Sequence, residues 1–296
     1  MKNYLEYFLV LLLINFVSLF PLNPARRIGI FLSNISYIFL FKRRKITIEN
    51  LANSFPEKSI KEIKIIAKKV FQNIGITFIE FALFPKLNKK ITDLVKYRNL
   101  DLMFEKCKLG KGLIMLSGHF GNWELNAFST GYISGYPLTI IVKTQSNKLV
   151  DKLINKHRTL LGNKVVPMQN SVREILNVLN TGGVVAMLAD QSAPKESVFI
   201  NFFNREVATF QGPAVFALKT KAPLLMGFII RNEDFTYEVI LEEIQTNDLD
   251  DYNEQNVKIL TQRHTALLEE YIRKYPHLWM WTHRRWKNVK VKQSTS

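Results

Sequence analysis

The chain has a single cysteine, Cys107, in 296 residues. An intramolecular disulfide and a cysteine-built zinc cluster are therefore excluded, and a reducing compartment is the natural setting. Cys107 lies in "FEKCKLGKG" with no activating neighbour, so it reads as packing rather than as a thiol nucleophile paired with His119. H-E-x-x-H, G-x-x-x-x-G-K-[ST] and G-x-G-x-x-G are all missing, and "LGKGL" is too short for a phosphate loop. Metal hydrolysis and nucleotide chemistry are left without a motif, and neither a metal nor an organic cofactor is expected. Acidic residues are scarce: 25 Asp and Glu face 41 Lys and Arg, a formal net charge of +16, and residues 272–296 contain none. Such a chain is drawn to an anionic partner, whether nucleic acid, anionic lipid or a phosphorylated substrate. Repeats, low-complexity tracts and long linkers are absent too, while 47% hydrophobic residues suffice for a sizeable core.

The N-terminus favours a membrane over nucleic acid. "YLEYFLVLLLINFVSLFPL", Tyr4 to Leu22, is apolar apart from Glu6 and Asn15, long enough to span or half-span a bilayer. A cleaved signal peptide fits poorly, because "NPARR" follows in place of a small-x-small site and Lys2 is the only preceding basic residue. The next stretch, Arg26 to Lys45, is apolar with basic ends and suits a helix in the headgroup plane. Its six Arg and Lys residues all follow the first apolar run, which places the body on the cytoplasmic face. Residues 1–45 are therefore expected to be a membrane anchor with an interfacial helix, and 46–296 the catalytic domain. A pair of core helices in a soluble domain is the alternative, with Glu6 as its support.

Ile63, Ile66, Ala67, Val70, Phe71, Ile74 and Phe78 form a helical stripe opposed by lysines, an amphipathic helix that opens the body. Beyond residue 110, short apolar runs ("GLIMLS", "PLTIIV", "KVVP", "GVVAMLAD", "PLLMGFII", "TYEVILEEI") alternate with helical patterns. That alternation predicts an α/β fold with a largely parallel mixed sheet flanked by helices, binding ligands at the strands' carboxyl ends.

His119 closes one such run and Asp190 another. "GHFGNWE" puts Glu124 five residues after His119, with Gly118 and Gly121 permitting a tight turn and Asn122 capping the helix that follows. The spacing alone is weak, and a buried histidine satisfied by a nearby carboxylate is the bland reading. The chemical reading has Glu124 holding the imidazole as a general base, and with no Ser or Cys in the turn, the base must activate a substrate hydroxyl. "LADQS" presents Asp190 and Gln191 to the same crevice, or caps a loop. "NFFNREVATFQGPAVFAL" suits an acyl-chain wall, though phenylalanines so spaced are more often core. "PHLWMWTHRRWK" interleaves three of the four tryptophans with Arg284, Arg285 and Lys287. Trp beside Arg suits a headgroup region or a phosphate-bearing amphiphile, and equally stacking on single-stranded nucleic acid.

With these residues in place, the chain resembles the lipid A biosynthesis acyltransferases, the lauroyl and myristoyl transferases of Gram-negative bacteria. The resemblance runs from about Arg26 to Lys287 through "RRKITIENLANSFPE", "GHFGNWE" as the family's H-x4-E box, "KLINKHRTLLG", "LADQ", "FFNREVATFQGPAVFALKT" and "WMWTHRRWK". It implies a fold similar to glycerol-3-phosphate acyltransferases with an N-terminal membrane helix. It also implies acyl transfer from acyl carrier protein to a hydroxyl of a Kdo-bearing lipid A precursor at the inner membrane. His119 and Glu124 would be catalytic; Arg158, Asp190, Lys143, Asn122, Arg284 and Arg285 would bind substrate. Two departures bear on acceptor recognition: "VKTQS" has Lys143 where the family commonly has Tyr-Arg-Pro, and Asn204 stands in place of a glycine. Another lipid acceptor is the near alternative. A membrane-tethered nucleic-acid binder is the distant one, which leaves "GHFGNWE" without a purpose, so no nucleic-acid partner is expected.

Overall fold

A computed structural model describes residues 1–249 and 251–290. The end of the basic C-terminal stretch, 291–296, lies outside the described residues. Four helices open the chain: α1 (Lys2–Ser18), α2 (Leu22–Phe39), α3 (Phe41–Ser54) and α4 (Ile60–Ala82). The start of α4 is written as S-x-x-E: the Ser59 hydroxyl accepts from the Glu62 N–H while the Glu62 carboxylate accepts from the Ser59 N–H. Ile63, Ala67, Val70 and Phe71 face inward as the stripe predicts, whereas Phe78 is exposed.

The expected membrane-spanning helix is not found. Among the described residues no helix is long and apolar enough to cross a membrane. The apolar run breaks at Leu19 to Pro21, and the 17 residues of α1 reach about 26 Å against the roughly 30 Å of hydrocarbon to be crossed. The helix is also tied to the body: Asn147 donates to the Asn3 carbonyl and to Glu6 Oε2 (2.8 and 3.0 Å), and Lys86 donates to the Ser18 carbonyl. Val17 is fully buried, but Leu5, Phe8, Leu9, Leu12, Leu13 and Phe16 stay exposed, as do Phe31, Ile35, Ile38 and Phe39 on α2.

After the short α5 (Phe84–Leu87) and α6 (Ile91–Leu94) come β1 (Val95–Tyr97) and α7 (Asp101–Lys108). The alternating region then unfolds as β2 (Leu113–Ser117), α8 (Trp123–Ser134), β3 (Leu138–Val142), α9 (Lys148–Arg158), β4 (Lys164–Pro167), α10 (Ser171–Asn180) and β5 (Val184–Leu188). A hairpin of β6 (Val198–Phe202) and β7 (Arg205–Thr209) follows, then α11 (Gly212–Thr220), β8 (Leu224–Arg231), β9 (Tyr237–Ile244) and α12 (Glu254–Lys274). The hairpin and α12 were not anticipated. Phe203 and Asn204 form the hairpin's two-residue loop, both left-handed (φ 51° and 58°), so Asn204 does what a glycine would.

Seven strands make one sheet in the order β1-β9-β8-β2-β5-β3-β4, parallel except between β8 and β9. This is the α/β fold with a mostly parallel sheet flanked by helices that the alternation predicts. Because successive strand residues face opposite sides, Ile114 and Leu116 enter one core while Leu113 and Met115 enter the other. Each such side chain, fully buried, contributes roughly 1.5–3 kcal/mol. Two cores clamp β2, and a rigid β2 fixes what stands at its end.

Candidate active site

Strands β2 and β5 are parallel neighbours in the sheet's centre, with Ser117 opposite Leu188. Two residues beyond that last pair, His119 and Asp190 face each other. The His119 backbone N–H donates to Asp190 Oδ2 and its Nδ1 bonds Oδ1, both at 2.7 Å. Trp279 Nε1 donates to Oδ2 as well (2.8 Å). Asp190 is buried, while the His119 side chain keeps 18% of its surface and turns Nε2 toward Gln191, whose Nε2 lies 3.2 Å away.

The turn between β2 and α8 is over-determined. Gly121 is left-handed (φ 59°), and a Cβ there would stand 2.0 Å from the Ile229 carbonyl, so only glycine fits. Gly121 N–H donates to the Leu278 carbonyl and Met280 N–H to the His119 carbonyl, so the C-terminal strap pins the box along its length. Asn73 and Thr77 on α4 donate to the Gly121 carbonyl.

The expected partnership of His119 with Glu124 gives way to a different pairing. Glu124, second residue of α8, takes a bidentate bond from Arg158 at the end of α9 (2.9 and 2.6 Å). Helix geometry explains this: α8 leads away from the turn, carrying Glu124 toward α9, whereas the sheet register delivers Asp190 directly to the imidazole. Glu124 remains near enough to act on His119 through space. Arg158 is thus engaged with Glu124, and Asp190 with the imidazole.

Four other expected substrate-binding residues divide by burial. Asn122 is fully buried; its Oδ1 caps α8 by accepting from the Leu125 N–H, and its Nδ2 donates to Glu80 (2.5 Å). Arg285 is 1% exposed, donating to the Ala208 carbonyl and to Thr209 Oγ1 (2.8 and 2.5 Å), whereas its neighbour Arg284 is exposed. Lys143 is exposed just past β3, on the sheet's carboxyl side. Trp279 and Trp281 are core, with Trp286 partly buried beside them. These indoles pack against Phe202 and Phe203, leaving the phenylalanine-rich hairpin as core as well.

Burial works against a charged imidazole, but Asp190's charge and hydrogen bond outweigh it and raise the His119 pKa above its ordinary value. Burial likewise opposes ionisation of Asp190, yet the bonds from His119 and Trp279 push its pKa down. The carboxylate is an anion at neutral pH. With Nδ1–H held by Asp190, the other ring nitrogen is the one that can take a proton. Ser117, the nearest hydroxyl along the chain, donates to the Gly227 carbonyl (2.8 Å) and is not in the turn. Among the described residues no group of His, Cys, Asp and Glu is arranged to hold a metal.

A carboxylate-held histidine at the head of a parallel sheet, without an adjacent side-chain nucleophile, is suited to activating a hydroxyl brought by the substrate. The model of the bacterial lipid A biosynthesis acyltransferases matches residues 1–288, and the chain belongs to that family. It is therefore an acyltransferase. It is 24% identical over 263 residues to the lipid A biosynthesis palmitoleoyltransferase of Escherichia coli, covering 87% of this chain and 83% of that one. It is also 24% identical over 273 residues to the lauroyltransferase of the same organism, covering 90% and 86%. A phosphatidylinositol mannoside acyltransferase of Mycobacterium tuberculosis is 26% identical over 130 residues, 43% of this chain and 41% of that protein.

Proposed function

We propose that the protein transfers a fatty acyl chain from acyl carrier protein to a hydroxyl of a Kdo-bearing lipid A precursor. His119 Nε2 takes the hydroxyl proton as the oxygen attacks the thioester carbon. The tetrahedral intermediate collapses, the carbon–sulfur bond breaks, and the imidazolium returns its proton to the leaving thiolate. Ester and free thiol are the products, and no cofactor enters. Asp190 holds the ring and stabilises the imidazolium; Gln191, beside Nε2, sits where the attacking oxygen must come and yields that position to it. Glu124 and Arg158 form an ion pair whose charges reach the His119 ring. The carrying observation is the His119–Asp190 pair at the sheet's carboxyl end, in a chain of this family.

The same reading places the protein on the cytoplasmic face of the inner membrane. The exposed apolar residues of α1 and α2, with Lys42, Arg43, Arg44 and Lys45 beside them on α3, support an interfacial seat in anionic lipid. The net charge of +16 supports docking of acidic carrier protein and lipid phosphates.

Purified protein with acyl carrier thioesters and lipid A precursor provides the test. His119→Ala is expected to lower turnover on the order of 10²–10⁴-fold while the fold is kept; substantial residual turnover removes the assignment. Lipid analysis of a deletion strain separates acceptors. Loss of one secondary acyl chain from lipid A is expected. Unchanged lipid A with an altered glycolipid would favour the acceptor class of the mycobacterial relative.

A further inference from the structure

Against Asp190 lies a cavity of about 10 Å³ whose polar lining is Ser117, Asp190, His264, Thr265 and Arg285, with His119 not among the lining residues. Arg285 is a buried cation whose two hydrogen bonds end on neutral oxygens, and Asp190 is the acid that favours its charge. A buried charge with neutral partners only is costly. His264, on α12, is 3% exposed; its Nε2 has no hydrogen-bond partner among the described residues, and its Nδ1 lies 3.5 Å from Thr265 Oγ1, too far to bond well. Burial and Arg285 push its pKa down to about 4, so it is neutral with an acceptor to offer. Asp190 accepts three hydrogen bonds, from His119 N–H, His119 Nδ1 and Trp279 Nε1, and a carboxylate has about four acceptor sites. A space of this size with two to four polar partners suits one water.

We propose that Arg285 and His264 are positioning residues that act on Asp190 through a single water seated in this cavity. The water accepts from the Arg285 guanidinium and donates to Asp190 and to His264 Nε2. This rests on Asp190 being the carboxylate that holds the catalytic imidazole. Arg285 thereby shares the carboxylate's charge without contacting it, which weakens Asp190's hold on the imidazolium and eases proton release. The other groups that bear on the pair are Glu124 and Arg158 on His119, and His283 on both His119 and Asp190.

The test is titration of ¹⁵N-labelled histidines in the full-length protein in detergent, the His119 signals being those lost in His119→Gln. His264→Phe fills the space and removes the acceptor; it is expected to raise the His119 midpoint by about half a pH unit or more. His264→Gln keeps a polar end and is expected to leave the midpoint where it was. An unchanged midpoint in folded His264→Phe overturns the proposal. A high-resolution crystal structure of the unaltered protein decides the matter even if that variant does not fold. Density within hydrogen-bond reach of Asp190, Arg285 and His264 is the expected result, and a dry cavity or a direct Arg285–Asp190 contact overturns it. Neither readout uses transferase activity, so failure here leaves the acyl-transfer reading to its own assay.

Discussion

Two carboxylates lie buried among the described residues, and they differ in their partners. Glu80 on α4 is fully buried and accepts from Arg26 Nε (2.6 Å), Asn122 Nδ2 (2.5 Å) and the Tyr237 hydroxyl (2.5 Å). Arg26 is itself 2% exposed and donates further to Asn23 and to the Phe235 carbonyl. Asp190 also accepts three hydrogen bonds, two of them from one histidine. The lesson lies in the partner. A guanidinium keeps its proton throughout the working pH range and here is enclosed, so the Arg26–Glu80 pair can only hold α2, α4, β9 and the box turn together. An imidazole releases its proton near neutrality and here keeps part of its surface exposed, so in the proposed mechanism the same kind of anion becomes part of a reaction.

Separating the two carboxylates experimentally is the sharpest check on that comparison. Asp190→Asn is expected to cost on the order of 10³–10⁴-fold in kcat through the wrong imidazole tautomer, far more than the stability lost as His119 and Arg285 lose their anion would explain. Kinetics beside thermal unfolding of the purified variant reads both, and near-normal kcat would merge the two sites into one structural class. Glu80→Ala should do the converse. It strands Arg26 as an uncompensated buried charge and is expected to cost about 3–5 kcal/mol of stability, measured by denaturant unfolding.

Between these two extremes is Gly121, where the box turn meets Ile229. Gly121→Ala forces a left-handed residue against a carbonyl and is expected to lose at least about 1–3 kcal/mol, with kcat falling as His119 shifts. A variant as stable and active as the parent would show the turn to be looser than its contacts imply. The smallest effect is a pH dependence. The proposed base is the neutral imidazole, and the raised His119 pKa means that form is lost already below a point above about 6.5. The rate should climb as pH rises through that point, and a limb centred below 6 would contradict the pairing with Asp190.

Much of the fold was legible along the chain. Apolar runs alternating with helical patterns foretold the parallel sheet, because a strand covered on both faces must be apolar along nearly its whole length, as "LIML" and "VVAML" are. The hairpin and α12 escaped for opposite reasons. "FFNR" hides a two-residue loop in which a phenylalanine takes a conformation usually left to glycine or asparagine, and the inward stripe of α12 carries Thr261, His264 and Thr265 at its centre, which dilutes the apolar pattern.

His119 could be found from its neighbours, since a histidine among glycines after an apolar run marks a strand end by itself. Its carboxylate could not. Proximity in sequence favoured Glu124, but a helix start carries a residue away from the turn before it, while sheet register brings together residues 71 positions apart. Arg284 and Arg285 make the same point, adjacent and chemically identical, one exposed and one buried. The apolar N-terminal run was equally ambiguous, since hydropathy records how many apolar residues follow one another and takes no account of where the helix breaks or what it packs on. Local sequence determined most strands of the sheet, the caps and the candidate imidazole, because those depend on a residue and its near neighbours. Which acid meets that imidazole, which arginine is buried and where the first helix ends depend on distant chain segments packing together, and only the tertiary structure decided them.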